Sequence, residues 1–505
     1  MVAMIALSAC KTNFSALPGT EKVDEYVNMF NKNDDELYKQ AFPNEKAAEF
    51  MKENIPLFEC PDKELEKTYY FRWWTFRKHI KETPDGYVIS EFLPQVGWSG
   101  KHNSINCAAQ HHMREGRWLR NTKFIDDYAR FWFFASNGGM RRYSCAAADA
   151  VWNLYLVHGD KQLITDLYEP LKENFKFWED TQRDSTGLYW RLDGWDGGEI
   201  SASGALSPDW SGYRPMQNAY EYGDAIALSK MAKLLGNAKD EELYQQKAQE
   251  IKAIVDKKLW DSKDQFYKAI PRNGKMELAP CREELGYVPF AYNLPDEDKL
   301  VAWEQLFDEK GFKAPYGPTT CEQRYGGFQI SYEGHECQWN GPSWPFATSQ
   351  TITGMITSLN RFGEKVLTKE RFMEVLNTYS NSHRLNGQCW IDENLNPFTG
   401  DWISRTRLMT WKDGTWSTGK GGVERGKDYN HSTFNDLIIS GVVGLQVSDE
   451  GEITVNPLVP DGLWDYYCLS GVRGAGHDVT VVYDKDGKHY HVGKGLKLFV
   501  DGKRR

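Results

Sequence analysis

Two stretches of this chain gather carboxylates, tryptophans and glycines. The first is Tyr189-Trp190-Arg191-Leu192-Asp193-Gly194-Trp195-Asp196-Gly197-Gly198-Glu199-Ile200-Ser201. Asp196 and Glu199 stand among glycines, which let a backbone approach a ligand closely. The second is Trp390-Ile391-Asp392-Glu393-Asn394-Leu395-Asn396-Pro397-Phe398-Thr399-Gly400-Asp401-Trp402. Here Pro397 and Gly400 mark a turn, and Glu393 precedes it between Trp390 and Trp402. A lone Asp-Gly pair reads as a solvated turn; acids packed with tryptophans in one loop read as a site. Hydrolysis of a glycosidic bond generally takes two carboxyl groups, one acid and one base or nucleophile. The two loops lie nearly 200 positions apart. They meet only in a fold that closes on itself.

Two further stretches carry polar and aromatic groups. Cys337-Gln338-Trp339-Asn340-Gly341-Pro342-Ser343-Trp344-Pro345 brackets a Gly-Pro turn with two tryptophans ahead of a helix. It reads either as a rigid helix start with core tryptophans or as a stacking platform. In Gly426-Lys427-Asp428-Tyr429-Asn430-His431-Ser432, His431 titrates in a useful range. A buried, hydrogen-bonded histidine is the plain alternative. Gln110-His111-His112 has no further partner at metal-ligand spacing, so no metal site is expected. There is no G-x-S-x-G elbow, P-loop or H-E-x-x-H motif.

The elements that must position these loops are mostly helical. Phe124, Tyr128 and Phe131, with Ile125 and Trp132 beside them, define one helix face. Leu163, Leu167, Leu171, Phe175 and Trp178 define a second; Tyr244, Ala248, Ile251, Val255 and Leu259 a third; Ile352, Ile356, Leu359 and Phe362 a fourth. Gly159, Gly236 and Gly363 each follow the last apolar residues of a helix, where glycine accepts the left-handed conformation that ends it. Helix, glycine, helix reads as stacked helical hairpins. Long loops rich in Gly, Trp, Asp and Pro separate them, and such loops in a compact domain are usually functional. After about residue 445 the period changes to two. Ile453-Thr454-Val455, Val479-Thr480-Val481-Val482-Tyr483 and Leu496-Lys497-Leu498-Phe499-Val500 read as strands, with turns at Asp486-Gly487 and Asp501-Gly502.

Composition narrows the partners. With 40% hydrophobic and 26% charged residues, the 505-residue chain is an ordinary globular protein. No apolar run reaches about 18 residues, the length of a membrane span, so no spanning helix is expected. A net charge of -10 argues against nucleic acid. Aromatic residues make up 14% of the chain, including 19 Trp. Most build the core, but their flat faces also suit sugar rings. The nine cysteines are scattered without a CxxC pair. Leu7-Ser8-Ala9-Cys10 fits a bacterial lipobox. The expectation is an exported bacterial lipoprotein at the periplasm or cell surface, its soluble body anchored by lipid on Cys10.

The motifs resemble a known family. Trp339-Asn340-Gly341-Pro342-Ser343-Trp344 resembles the Trp-Arg-Gly-Pro-x-Trp signature of glycoside hydrolase family 63 and its trehalase-like relatives. Glu393-Asn394-Leu395-Asn396-Pro397-Phe398-Thr399-Gly400 resembles the Glu-x-x-Asn-Pro-x-Thr-Gly segment that carries that family's general base. Residues 194–201 resemble the Gly-x-Asp-x-Ser segment that carries its acid. The three occur in the family's order, and the likeness is closest to the mannosylglycerate hydrolase-like branch, including bacterial lipoproteins.

The resemblance implies a mainly α fold, an (α/α)6 toroid with a small C-terminal antiparallel β module. The expected divisions are a signal remnant at 1–10, a tether and first helix at 11–50, the toroid at 51–445 and the β module at 446–505. It implies an inverting glycoside hydrolase that needs no cofactor and acts on an α-linked sugar, or an equivalent L-sugar linkage. The implied substrate is an oligosaccharide or polysaccharide fragment. Glu393 is then the base. For the acid, Gly194-Trp195-Asp196 matches the family but lacks its following serine; Gly198-Glu199-Ile200-Ser201 restores the serine with Glu for Asp. Glu199 is preferred, with Asp196 close behind. Asn340 replaces the family's arginine, which puts the specificity of close relatives in question. Trp195, Arg214, Gln338, Trp339, Trp344, Trp390 and His431 are the candidate sugar-binding residues. Two rivals stand beside this reading: a toroidal lyase or epimerase using Tyr429 and His431, and a glycan-binding lipoprotein without turnover.

Overall fold

The computed structural model describes residues 16–410 and 417–505. Cys10 lies outside the described residues. Six inner helical segments form a closed ring. In order they are Ala109–Gly116, Ala147–His158, Pro215–Leu235, Val288–Ala291, Pro345–Phe362 and Asn435–Leu437, each touching the next. The last touches the first, and a buried carboxylate fastens that joint. Glu115 accepts the backbone N–H groups of Phe434, Asn435 and Asp436, the last two at 2.8 and 2.9 Å. Those are orphan donors at a helix start, so the contact caps the helix as it shuts the ring.

An outer layer covers this ring: Lys63–His79, Lys123–Phe134, Lys161–Gln182, Ala238–Lys258, the 3-10 run Glu297–Phe307 and Lys369–Ser382. The two layers bury different amounts of each helix. Ala238–Lys258 buries a single stripe of Tyr244, Ala248, Ile251 and Val255. Pro215–Leu235 is buried on nearly every side. That contrast is what an amphipathic surface helix and a central helix require. The four apolar faces read from the sequence all fall on helices of these layers. Gly159 and Gly236 end their helices in the left-handed conformation, at φ of 71 and 77°, whereas Gly363 ends its helix at φ 69° with an extended ψ of -170° instead. Beyond each glycine a polar side chain caps the next helix: Asp160 on Gln162, Asn237 on Asp240 and Thr368 on Arg371.

The C-terminal sheet is antiparallel, in the order Leu57–Glu59, Tyr466–Gly474, His477–Asp484, Gly495–Val500, Lys503–Arg504. Its edge strand, Leu57–Glu59, comes from the N-terminal part of the chain. Ile453–Val455 pairs separately with Leu445–Val447. At the last turn Asp501 and Gly502 have φ of 50 and 72°, as a two-residue hairpin demands. The architecture is a mainly helical toroid with an antiparallel β module.

Connectivity decides where the site sits. The segments 80–108, 183–214, 308–344 and 383–434 each run from an outer helix into an inner one. They therefore all open at the end of the ring where the inner helices begin. The two acidic loops, the Gly-Pro turn and the His431 segment belong to this set.

Candidate active site

The carbonyl of Ile200 accepts the N–H of Trp339 at 3.3 Å, and Ser201 pairs with Trp339 as an isolated bridge. Four residues on, Ser343 and Leu395 exchange backbone hydrogen bonds of 2.9 and 3.0 Å. The short Gly-Pro segment thus fastens the Glu199 loop on one side and the Glu393 loop on the other.

Between them lies a cavity of about 270 Å³ lined by Glu199, Glu393, Glu91, Glu336, Arg425 and His431, with Phe92, Trp98, Tyr143 and Trp344 among its aromatic walls. Cys337, Lys420 and Tyr429 also reach it.

Within the first loop the three acids have different partners. Asp193 accepts the N–H and hydroxyl of Ser201 at 3.0 and 2.8 Å and pairs with Arg214 Nη2 at 2.7 Å. Asp196, 1% exposed, pairs with Arg214 Nη1 at 2.6 Å and accepts the Ser144 hydroxyl. Both aspartates anchor the loop to the start of the Pro215–Leu235 helix. Glu199 is left half-buried at the cavity, with no cation paired to it among the described residues. Burial, with Asp193, Glu393 and Glu91 nearby, raises its pKa to about 8, as desolvation and like charges do. The backbone turns sharply around it, with Gly197 at φ 75° and Ile200 at φ 58°. The left-handed region is unusual for a β-branched residue such as Ile200.

Glu393 is 2% exposed. Its Oε1 accepts Arg425 Nε at 3.0 Å and Arg425 Nη2, while Oε2 sits 3.7 Å from the Cys337 thiol. Burial raises its pKa above the ordinary carboxylate value, against the pull of Arg425. Arg425 also reaches Glu336 at 3.3 Å, and Lys420 reaches Glu336 at 3.0 Å. Burial opposes the charge on Glu336, yet the two cations lower its pKa to about 2. The guanidinium of Arg425 lies 5.4 Å from the Phe92 ring and 5.1 Å from Trp98, a cation–π setting.

The structure divides the residues read from the sequence. Glu199, Glu393, Trp344 and His431 line the cavity. Trp195 stands at its margin, 38% exposed, with its ring 5.1 Å from that of Tyr143. Trp339 stacks on Trp344 at 4.5 Å and supports it. The Gln338 carbonyl accepts the Trp344 indole N–H at 2.8 Å. Asp196 and Arg214 lie behind the Glu199 loop, beside a separate void of about 20 Å³. Trp390 faces another crevice, with Trp74, Asn33 and Lys427. Sequence reasoning missed Glu91, Glu336, Lys420 and Arg425. Glu91 follows the short strand Gly86–Ile89 as one acid in an apolar run, and Arg425 sits in Gly421-Gly422-Val423-Glu424-Arg425-Gly426. A charged residue set among glycines was the available signal.

Comparison with known proteins bears on the family and the fold. The family model of the mannosylglycerate hydrolase MGH1-like glycoside hydrolase domain matches residues 101–432, and that of the glycosyl hydrolase family 65 C-terminal domain matches 445–504. A solved structure titled sialidase is 41% identical over 96% of this chain, with a TM-score of 0.89; this chain spans 44% of its length. The GH63 mannosylglycerate hydrolase from Thermus thermophilus, in complex with glucose, shares the fold at TM-score 0.52 and 13% identity, over 67% of this chain and 98% of that one. The alpha-L-rhamnosidase from Dictyoglumus thermophilum does so at TM-score 0.52 and 16% identity, over 89% of this chain and 44% of that one. The chain belongs to the MGH1-like glycoside hydrolases.

Proposed function

We propose that the protein is an inverting glycosidase in which Glu199 is the general acid and Glu393 the general base. One observation carries this reading: the two glutamates line a single cavity, Glu393 paired with the Arg425 guanidinium and Glu199 with no cation among the described residues. Glu199 has no cation paired to it among the described residues, and its pKa of about 8 keeps it protonated at neutral pH, ready to protonate a leaving oxygen. Glu393 is held by the Arg425 guanidinium, which favours its ionised form and leaves Oε2 to take a proton from water. An inverting pair stands roughly 6.5–9.5 Å apart, with water between. The substrate we propose is an oligosaccharide or polysaccharide fragment with an α-linked sugar, or the equivalent L-sugar linkage. The proposal includes export and a lipid anchor on Cys10, which rests on Leu7-Ser8-Ala9-Cys10 alone. Metabolic labelling with a palmitate analogue, lost in Cys10→Ser, checks it.

The lyase or epimerase reading fits less well. A tyrosine base needs a lowered phenol pKa, whereas burial and then Glu91 push that of Tyr429 well up. A proton-NMR time course with a broad panel of oligosaccharides tests the choice. Release of a sugar whose first anomer is inverted, abolished in Glu393→Gln, supports the proposal. A retained anomer overturns the mechanism, and an unsaturated product points to the lyase. Binding without turnover by any glycan makes the protein a glycan-capturing relative.

A further inference from the structure

The chain carries a net charge of -10, yet three arginines gather beside the Glu199 loop with no acid to neutralise them. Arg141 and Arg142 precede Tyr143 and Ser144, and Arg191 precedes the acids of the loop. The two segments are fastened together. Arg191 Nη2 donates to the Arg142 carbonyl, the Ser144 N–H to the Trp195 carbonyl at 3.1 Å, and the Ser144 hydroxyl to Asp196. The guanidinium groups sit along a strip of rings. Those of Arg142 and Arg191 each lie 5.9 Å from the Trp195 ring. Arg191 is also 4.8 Å from Trp178, and Arg141 is 5.0 Å from Phe177, whose ring packs on Trp178 at 5.5 Å. Trp195 packs on Tyr143, which lines the cavity. The strip therefore runs from the cavity wall to the exposed Arg141.

None of the three guanidinium groups forms an ion pair among the described residues. The aspartates of the loop are taken, since Arg214 holds both Asp193 and Asp196. Arg191 keeps its Nε buried without a hydrogen-bond partner among the described residues. Burial pulls its pKa below the ordinary value, against the more distant charge of Asp196. Arg142 and Arg191 are half-buried. Cations this close repel one another, and losing water without gaining an anion costs each of them free energy. The ring contacts offset part of that cost but supply no countercharge. An anionic ligand supplies it. A guanidinium fork grips a carboxylate or a sulfate through two parallel N–H bonds. The Trp195 ring beside it suits the C–H face of the sugar that carries the anion.

We propose that Arg141, Arg142 and Arg191 form, with Trp195, a subsite for an acidic sugar in the leaving part of the substrate, its anionic group a carboxylate or a sulfate ester. The proposal rests on the glycosidase reading above, in which Glu199 protonates the leaving oxygen and the leaving sugar lies on the side of its loop. The acid is assigned to the sugar that departs, not to the one that water attacks.

Isothermal titration calorimetry on the full chain at pH 7 and low salt tests the subsite without turnover. The probes are trigalacturonate, which carries carboxylates, a carrageenan tetrasaccharide, which carries sulfate esters on otherwise neutral sugars, and maltotriose, which carries neither. An acidic probe is expected to bind roughly tenfold tighter than maltotriose or better, and to lose about tenfold in Arg142→Gln, as removal of a charge-assisted pair does. The acidic probe that binds names the anionic group. Arg142 donates no side-chain hydrogen bond among the described residues, so Arg142→Gln is expected to keep the melting temperature of the unaltered protein. Arg141→Gln, at an exposed position, serves in its place if it does not. Absence of binding by both acidic probes overturns the proposal, as does maltotriose binding equally well, or an unchanged acidic-probe affinity in the folded variants. The glycan panel separates the two readings. Hydrolysis of a glycan without acidic-probe binding removes the subsite and leaves the glycosidase standing. Acidic-probe binding that depends on Arg142, without hydrolysis of any glycan, overturns the glycosidase and the assignment to a leaving sugar, and leaves an anion-binding strip.

Discussion

Arg425 grips Glu393 by one oxygen only. Nε and Nη2 both donate to Oε1, and Oε2 is turned to the Cys337 thiol and the cavity. The arginine therefore stabilises the carboxylate's charge while leaving free the oxygen that must accept a proton. The same guanidinium neutralises Glu336, so its removal strips two buried acids of their cation. Arg425→Met is expected to destabilise the fold by roughly 3–5 kcal/mol, the usual result of leaving buried charge unpaired. It also moves the acidic limb of the pH–rate profile upward. Without the guanidinium, Glu393 keeps its proton to higher pH and serves as a base only above that point. Denaturant unfolding and a kcat/KM profile read the two effects separately. An unmoved acidic limb in a folded variant takes Glu393 out of the base role.

Glu199 gives the opposite limb and a stability signature of its own. Its pKa is raised from the ordinary 4.5 to about 8. Between those values the folded protein holds a proton that the unfolded chain releases, so stability falls as pH climbs through that window. Glu199→Gln has no such proton. Its melting temperature relative to the unaltered protein is expected to be near parity at pH 4.5 and to gain steadily up to about pH 8. Activity follows the reverse course: the unaltered enzyme declines above about pH 8, and the Gln variant loses roughly 10²–10⁴-fold below that pH, a deficit that narrows above it. A variant no better off at pH 8 than at pH 4.5 denies the raised pKa.

The helices that were legible from sequence were chiefly the outer ones. Tyr244, Ala248, Ile251 and Val255 form a single stripe because the other face of their helix meets water. Pro215–Leu235 and Ala147–His158 are buried nearly all round, so no one-sided period marks them; only their glycine stops showed. Among the strands, Leu57–Glu59 was hidden because three residues carry too little pattern, and its partner strand lies some 400 positions away. The acidic loops stood out because acids among glycines and tryptophans are unusual locally. What separates Glu199 from Asp196 is not local. It is the guanidinium of Arg214, which takes Asp193 and Asp196 and passes by Glu199. Glu91, nearly 340 positions from Tyr429 and His431, joins the site only when the ring closes.

The Gly-Pro segment is expected to act as the spacer between the two glutamates. Gly341 has no room for a side chain: a Cβ there falls 2.2 Å from the backbone oxygen of Gln329. Gly341→Ala must shift the segment whose ends hold Ile200 through Trp339 and Leu395 through Ser343. The expected result is a lower melting temperature and a fall in kcat exceeding the rise in KM, since the separation of acid and base is disturbed more than the sugar walls. Gly326→Ala is the control, because a Cβ at Gly326 meets open space. Equal behaviour of the two variants removes the spacer role.

Trp195 offers the complementary case, a residue expected to bind without touching the chemistry. Its ring packs on Tyr143 at the cavity margin, and it is 38% exposed, high for so large an apolar side chain. It stands four residues before Glu199 and packs on the cavity-lining Tyr143, so its exposed face is expected to meet a sugar beyond the cleaved unit. Stacking of an aromatic ring is worth about 0.5–1.5 kcal/mol. Trp195→Ala is therefore expected to raise KM by roughly two- to tenfold on an extended oligosaccharide, with kcat little changed. On a minimal aryl glycoside, which ends at the cleaved unit, the same variant should match the unaltered enzyme. A loss of kcat on both substrates would instead assign Trp195 to holding the Glu199 loop in place. Its backbone already shares in that task, since the Trp195 carbonyl accepts the Ser144 N–H at 3.1 Å.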